Sequence, residues 1–534
     1  MQAGERKLNL KRLVLIVLTA IALSVTGLSL VGSFTQTQIQ SRLELYQTNL
    51  LLRATGELDQ PITRDQSAEA TPLDLLRGQL LGDRTFSEAC KQYAAFRVKA
   101  AANADRLVTT LTQSATPDDE PAGGKSLFDR TAQQLRELAA VDLRLGILQA
   151  RSGDAAAAVK TWEQLAQLDR PWPDTIDPQT FTADYGPIRA DLVQLWSRSL
   201  ANADDQAIER HIRKFLDGWF RDASLARLYR ATGRTAELAA LEADTSVRSE
   251  AIVVKLAAAN LLPGLGLLAG IVGLVGLVVQ RLLKGSEAIL SLSSVSWSVP
   301  WGGETIWEVF VLGFFAIGQI VVPLVSSIGL QAIGLNLATA TGATQAGIIL
   351  LRYGLMAAGG VAVLRWAVHR FLPLPEGWFQ FDWRHWRWLA WGLGGYCVAL
   401  PIVIVVSLVN QSIWQGQGGS NPILSIVLEN RDPVAITCFF LTASVAAPLF
   451  EETLFRGFLL PSLTRYVPTW GAIGLSSLLF ALAHLSLSEI LPLTALGAVL
   501  GLVYARSRNL LASILLHGLW NSGTLASLLL LAGN

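Results

Sequence analysis

From residue 251 to the C-terminus, apolar runs near twenty residues follow one another with only short polar breaks. An α-helix needs about 20 such residues to cross the roughly 30 Å hydrocarbon core of a bilayer. The chain is therefore expected to fold as an all-α, polytopic membrane helix bundle. Eight spans are expected, over residues 256–279, 306–328, 346–368, 389–409, 434–460, 471–487, 490–504 and 510–531. A further apolar run, 13–31, follows Lys7, Lys11 and Arg12. It is longer than the apolar region of a usual signal peptide and has no clear small-residue cleavage site, so it reads as an uncleaved anchor with its basic end in the cytoplasm.

The remainder, residues 36–250, has helical periodicity and the charge of a soluble segment. The expected organisation is a cytoplasmic N-terminus and anchor over 1–35 and an extracytoplasmic α-helical domain over 36–250. The first membrane helices of the core follow over 251–433, then a catalytic membrane domain over 434–534. A polar linker, 114–125, and the Pro171-Trp172-Pro173 turn break the helical stretch. Leu145-Gly146, Gly153, Ala158 and Trp162 have the spacing of a tetratricopeptide helix-turn-helix, and Leu225, Tyr229 and Gly233 offer a second, weaker copy. Plain helical hairpins are the alternative. On either reading this domain suits docking of a protein partner better than catalysis.

Charge sets the expected orientation. Alternating the spans from a cytoplasmic start puts Arg281, Lys284, Arg370, Arg384, Arg387, Arg465, Arg506 and Arg508 on inner loops, as the positive-inside rule requires. Trp383, Trp386, Trp388 and Trp391 then form an interfacial belt on that face. A multi-pass protein of a bacterial-type plasma membrane is the expected setting. The net charge of +1 comes with no basic stripe, which argues against a nucleic-acid partner. Cys90, Cys397 and Cys438 are too scattered for a disulfide framework or a cysteine-rich zinc site. Gly266 with Gly270, and Gly497 with Gly501, give small faces for close helix approach.

Three of the last four spans carry polar intrusions: Glu451-Glu452-x-x-x-Arg456, Phe480-x-x-x-His484 and His517-x-x-x-Asn521. Ionised groups inside a membrane helix cost roughly 2.5 to 3.5 kcal/mol on insertion scales and tend to mark function. At 1.5 Å per residue, Glu451, His484, His517 and Asn521 fall roughly 15, 21, 12 and 18 Å from the inner face, one layer about 10 Å thick. Each element alone has a plainer explanation, as an interfacial ion pair, an interfacial histidine or a polar clamp between helices. Together these residue types suit attack of water on a carbonyl. Glu451 is the expected general base, with His484 holding the water. His517 and Asn521 are the expected donors to the developing oxyanion, and Arg456 is expected to neutralise Glu452.

The three motifs, over residues 434–522, resemble the signature of the CPBP (CAAX-processing and bacteriocin-immunity, or Abi) intramembrane proteases, relatives of the Ras-converting CAAX endopeptidase. The resemblance implies an eight-helix membrane core and peptide-bond hydrolysis within the membrane. It implies catalytic roles for Glu451, Glu452, His484, His517 and Asn521, with Arg456 and Phe480 in support. A membrane protein or a lipid-modified peptide is the implied substrate. Members are commonly labelled metalloproteases, yet no His-Glu-x-x-His run is present. A metal-free site needing no cofactor is favoured, with an open zinc site on Glu451, His484 and His517 as the alternative. A different class of function stands beside the protease: a catalytically silent scaffold or immunity-type binding protein working through the helical domain.

Overall fold

The computed structural model describes residues 10–34, 39–58, 71–82, 84–113, 127–164, 178–197, 204–292, 295–337, 340–414, 418–419 and 432–532. Lys7, the 114–125 linker and Pro171-Trp172-Pro173 lie outside these. The described residues are helical throughout, with no strand among them. They divide into two compact units, one formed by residues 1–40 and 261–534 and the other by 41–260.

The membrane unit is a polytopic bundle. Every apolar run read from the sequence coincides with a helix: Leu10–Phe34, Thr235–Lys284, Gly303–Ala332, Gly342–His369, Arg387–Trp414, Pro433–Leu463, Thr469–Leu482, Ile490–Ser507 and Leu510–Ala532. Among the described residues seven helices are long and apolar enough to cross a bilayer. The two outside that set, Thr469–Leu482 and Leu510–Ala532, are the ones that bear His484 at one end and His517 with Asn521 within. Both glycine pairs sit at close approaches. A Cβ on Gly270 would collide with the Cys397 carbonyl, and one on Gly497 would press on Ser477 and Arg456.

The N-terminal helix belongs to this bundle. Its buried Leu15 and Ser33 lie on the contact side. Lys11 pairs with the fully buried Glu308, and Arg12 with Glu304 at 2.9 Å. Thr19 accepts a hydrogen bond from Trp307 Nε1 at 2.7 Å, and Ser33 accepts one from the Leu487 backbone at 3.3 Å.

Three stretches of the membrane helices widen into π turns: Val309–Val321, Leu441–Ala446 and Thr453–Leu459. Each ends two residues before a proline, Pro323, Pro448 and Pro461. A proline in a helix has no N–H to give and its ring presses on the carbonyl four residues back. Opening the preceding turn to the i→i+5 pattern relieves that clash without breaking the helix.

The 41–260 unit has its own core of aromatic and aliphatic side chains, including Tyr93, Trp162, Trp219 and Phe220. Helices Leu127–Arg151 and Ala155–Gln164 form a hairpin. Trp162 lies on Gly146, where any Cβ would collide with the indole, and its Nε1 donates to the Leu143 carbonyl at 3.2 Å. Helix Gly218–Ala231 and the start of Thr235–Lys284 repeat the arrangement. Both hairpin turns use a left-handed glycine, Gly153 at φ 91° and Gly233 at φ 71°. In each, the residue after the glycine donates to the carbonyl five back, Asp154 to Gln149 and Arg234 to Tyr229, the closure a glycine-ended helix favours. The structure shows helical hairpins here; the tetratricopeptide reading stays an expectation.

Candidate active site

The helix that bears the glutamates starts at Asp432, whose side chain accepts from the Val434 N–H, with Pro433 in the first turn. Pro448 then decides its local geometry. In the π turn the Ala447 N–H bonds to the Thr442 carbonyl. The next donor in sequence would serve Ala443, but residue 448 has no N–H. The Ala443 carbonyl takes the side chain of Asn521 instead, Nδ2 to oxygen 2.7 Å. With that donor missing, the Ala443 oxygen is more open to Asn521 than in a helix at full hydrogen bonding.

One turn on, Glu452 and Arg456 are both completely buried. Arg456 Nη1 donates to Glu452 Oε1 at 2.7 Å, and Nη2 donates to the Gly497 carbonyl at 3.2 Å. The guanidinium also sits over the Phe480 ring, 4.5 Å from its centroid. Glu452 Oε1 has a second partner, His517 Nδ1 at 2.9 Å. On the far side of that imidazole, Nε2 is 3.9 Å from Glu451 Oε2. Glu451 Oε1 in turn accepts from the Tyr353 hydroxyl at 2.9 Å. The result is two hydrogen-bonded segments drawn from three helices, Arg456–Glu452–His517 and Glu451–Tyr353, facing each other across one gap. The 3.9 Å gap between His517 and Glu451 is too long for a direct hydrogen bond and suits a bridging water.

His484 is placed differently from expectation. The sixth span was expected to run to residue 487, but its helix ends at Leu482. His484 Nδ1 is 2.9 Å from the Phe480 carbonyl, the acceptor its own backbone N–H would use in a continued helix. That N–H bonds to Ala481 instead, and Leu485 follows in the left-handed region at φ 56°. The histidine thus ends its own helix and sits in the turn. His484 and His517 both meet the Phe480 ring edge-on, at centroid distances of 4.9 and 5.7 Å.

Of the seven residues singled out from the sequence, Glu452, Arg456, Phe480 and His517 form one contact group, and Glu451 approaches it at His517. Asn521 clamps the same helix at Ala443, about two turns before Glu451, and His484 meets the group through Phe480. Tyr353 was missed. It stands in the third expected span beside Arg352, a polar pair within an apolar run, the same signal that flagged the C-terminal motifs. Among the described residues no three or more His, Cys, Asp or Glu side chains are drawn together as a metal would require. Glu451, His484 and His517 as arranged do not fit a metal ion.

Residues 433–523 match the family of type II CAAX prenyl endopeptidases, Rce1-like. The chain is 32% identical over 140 residues to the membrane-embedded CAAX protease MroQ of Staphylococcus aureus (strain USA300), a stretch covering 25% of this chain and 55% of that protein. It is 23% identical over 134 residues to the putative membrane peptidase YdiL of Bacillus subtilis (strain 168), covering 25% and 54%. An uncharacterized 24.3 kDa protein of Escherichia coli is 34% identical over 103 residues, covering 18% and 48%. The chain spans about half the length of the curated relatives it matches. No solved structure matches it.

Proposed function

We propose, on the premise that residues 433–523 are an Rce1-like CAAX endopeptidase segment, that this protein hydrolyses a peptide bond within or beside the membrane. The observation that carries the reading is the row of polar contacts from Arg456 to Tyr353, with Arg456, Glu452 and His517 buried and Glu451 and Tyr353 part-buried. Glu452 is paired with both Arg456 and His517, so its carboxylate is not an unpartnered buried group.

Water between Glu451 and His517 gives its proton to Glu451 as its oxygen attacks the carbonyl carbon. The carbonyl π electrons move to the oxygen, where the His517 Nε2–H and the second amide hydrogen of Asn521 donate to the new oxyanion. As the carbon–nitrogen bond breaks, Glu451 passes its proton to the leaving amine. His484, its Nδ1 committed to Phe480, has Nε2 left for the water. Glu452 holds the His517 ring in place, as a buried carboxylate does for a catalytic histidine, and Arg456 pairs with Glu452. No step runs through a metal ion.

The finer setting follows the charge pattern: N-terminus in the cytoplasm, residues 41–260 on the opposite side, and that unit selecting or recruiting membrane-protein substrates. The test is quantitative labelling of new peptide termini in membranes from cells with the native protein and with Glu451→Ala at equal abundance. Termini found only with the native protein, at or beside membrane segments, are expected. An unchanged set, with the phenotype lost only when residues 36–250 are deleted, would establish the scaffold reading instead. Chelators are expected to leave the native termini in place; their loss on chelation and return with zinc would replace the metal-free route.

A further inference from the structure

The turn that carries His484 is held by parts of the chain far from it in sequence. After the helix Thr469–Leu482 ends, Leu485 takes a left-handed backbone, φ 56°, and a short 3-10 turn over Leu487–Glu489 leads into the helix Ile490–Ser507. The first N–H groups of a helix have no partner within it and need caps. Ser486 stands at the capping position but makes no cap with its side chain. The caps come from elsewhere. Ser33, buried near the end of the N-terminal helix Leu10–Phe34, accepts from the Leu487 N–H at 3.3 Å. Its own proton goes to the Leu30 carbonyl at 2.8 Å, which leaves the hydroxyl lone pairs for that contact. The Ser488 N–H bonds to the Gly418 carbonyl at 3.2 Å, and Ser488 Oγ donates to the Gly419 carbonyl at 2.6 Å. Asn410, buried in the helix Arg387–Trp414, donates from Nδ2 to the Ser488 carbonyl at 2.7 Å. Trp414 of that helix meets Phe34 edge-on at 5.9 Å, joining the two supports.

His484 itself is tied back to the helix it ends, by its ring at the Phe480 carbonyl and by its N–H at Ala481. Its place is therefore set from both sides, by that helix before it and by the capped turn after it. A left-handed backbone is sterically costly for a residue with a Cβ. Such a conformation persists where the surroundings over-determine it, and the ties from Ser33, Asn410 and the two glycine carbonyls do so at Leu485. We infer that Ser33 and Asn410 are positioning residues for His484, and that the N-terminal helix, outside the family-matched stretch, is a working part of the site as well as an anchor. This rests on the hydrolytic reading, in which His484 Nε2 holds the water. Without the Ser33 oxygen the Leu487 N–H loses its acceptor, Leu485 relaxes towards ordinary backbone, and His484 moves with it. A displaced water-holding group slows the chemical step and leaves substrate binding in place, so the loss falls on kcat and not on KM.

The experiment uses the full-length protein in lipid nanodiscs and a peptide spanning a cut site found by terminal labelling. Ser33→Ala is expected to lower kcat about ten-fold with KM within about two-fold of native, and Ser33→Thr, which keeps the hydroxyl, to restore most of it. Thr19→Val is the control. It removes another hydrogen bond of the same helix, the one from Trp307 Nε1 at 2.7 Å, well away from the turn, and is expected to leave kcat at the native value. Hydrogen exchange is expected to quicken over residues 485–489 in Ser33→Ala and to stay as in the native protein in Thr19→Val. Asn410→Leu removes the tie from the second helix and is expected to show the same loss in kcat, which decides the matter where Ser33→Ala does not accumulate. Glu451→Ala abolishes cutting, so failure of the hydrolytic reading shows as native and Glu451→Ala proteins that do not differ. A native kcat in either Ser33→Ala or Asn410→Leu, or an equal loss in Thr19→Val, overturns the assignment: the turn then needs no such ties, or the helix only braces the bundle.

Discussion

Glu452 is bonded on one oxygen to both Arg456 and His517, so on the proposed mechanism it serves the fold and the chemistry at once. Removing one member of a buried ion pair leaves the other uncompensated, at a cost of about 3 to 5 kcal/mol. Glu452→Gln is expected to lower stability by that order, read as thermal unfolding in detergent. The double change Glu452→Leu with Arg456→Met is expected to restore most of it, because well-packed apolar pairs replace buried ion pairs at little loss. Cleavage should not return with stability, since His517 has then lost its orienting carboxylate. A second carboxylate with several partners is Glu209 in the 41–260 unit. Desolvation pushes its pKa up, but hydrogen bonds from Arg234, Arg213 and Tyr229 outweigh that and hold it below the usual carboxylate range. A depressed folded pKa contributes stability above the unfolded value that is lost as pH falls towards the folded one. Hydrogen exchange over residues 205–234 should accordingly rise on acidification in the native protein, and change less over the same pH interval in Glu209→Gln.

Helix approach in the membrane unit depends on single missing methyl groups. At Gly270 a Cβ would run into the Cys397 carbonyl, which is backbone and cannot turn aside. Gly270→Leu is expected to cost about 1 to 3 kcal/mol or more as the two helices are forced apart, again measured by thermal unfolding. Helices themselves were legible in the sequence because apolar length is a one-dimensional signal, and all nine apolar runs are helices. Polar residues inside those runs located most of the site for the same reason. What could not be read was the backbone. The prolines at 323, 448 and 461 are plain in the sequence, but that each would widen the turn before it depends on neighbouring helices keeping the rod intact. His484 was misplaced because its ring competes with its own backbone for the Phe480 carbonyl, a contest that periodicity does not register. Tyr353 escaped because its partner, Glu451, is 98 residues away in sequence.

For the molecule as a whole, the membrane unit and the helical unit are separately compact, the latter with a core of its own, and the proposed function gives them separate tasks. Deleting residues 41–260 is expected to leave cleavage of a short peptide within about a factor of a few, since the row of polar contacts from Arg456 to Tyr353 draws nothing from that stretch. Selection among full-length membrane substrates in cells should fall instead, as terminal labelling of the deletion strain will show. The same whole-chain view gives Pro448 a use beyond this protein. Sequence searches for such enzymes weigh the glutamates and histidines, side chains that a silent relative can keep by inheritance. The missing N–H at position 448 leaves the Ala443 oxygen for Asn521 to hold. A relative with both histidines, both glutamates and the asparagine, but an ordinary helix former in place of the proline, would have its asparagine share the Ala443 oxygen with a backbone N–H, and such chains are where a looser clamp between these two helices should be sought first.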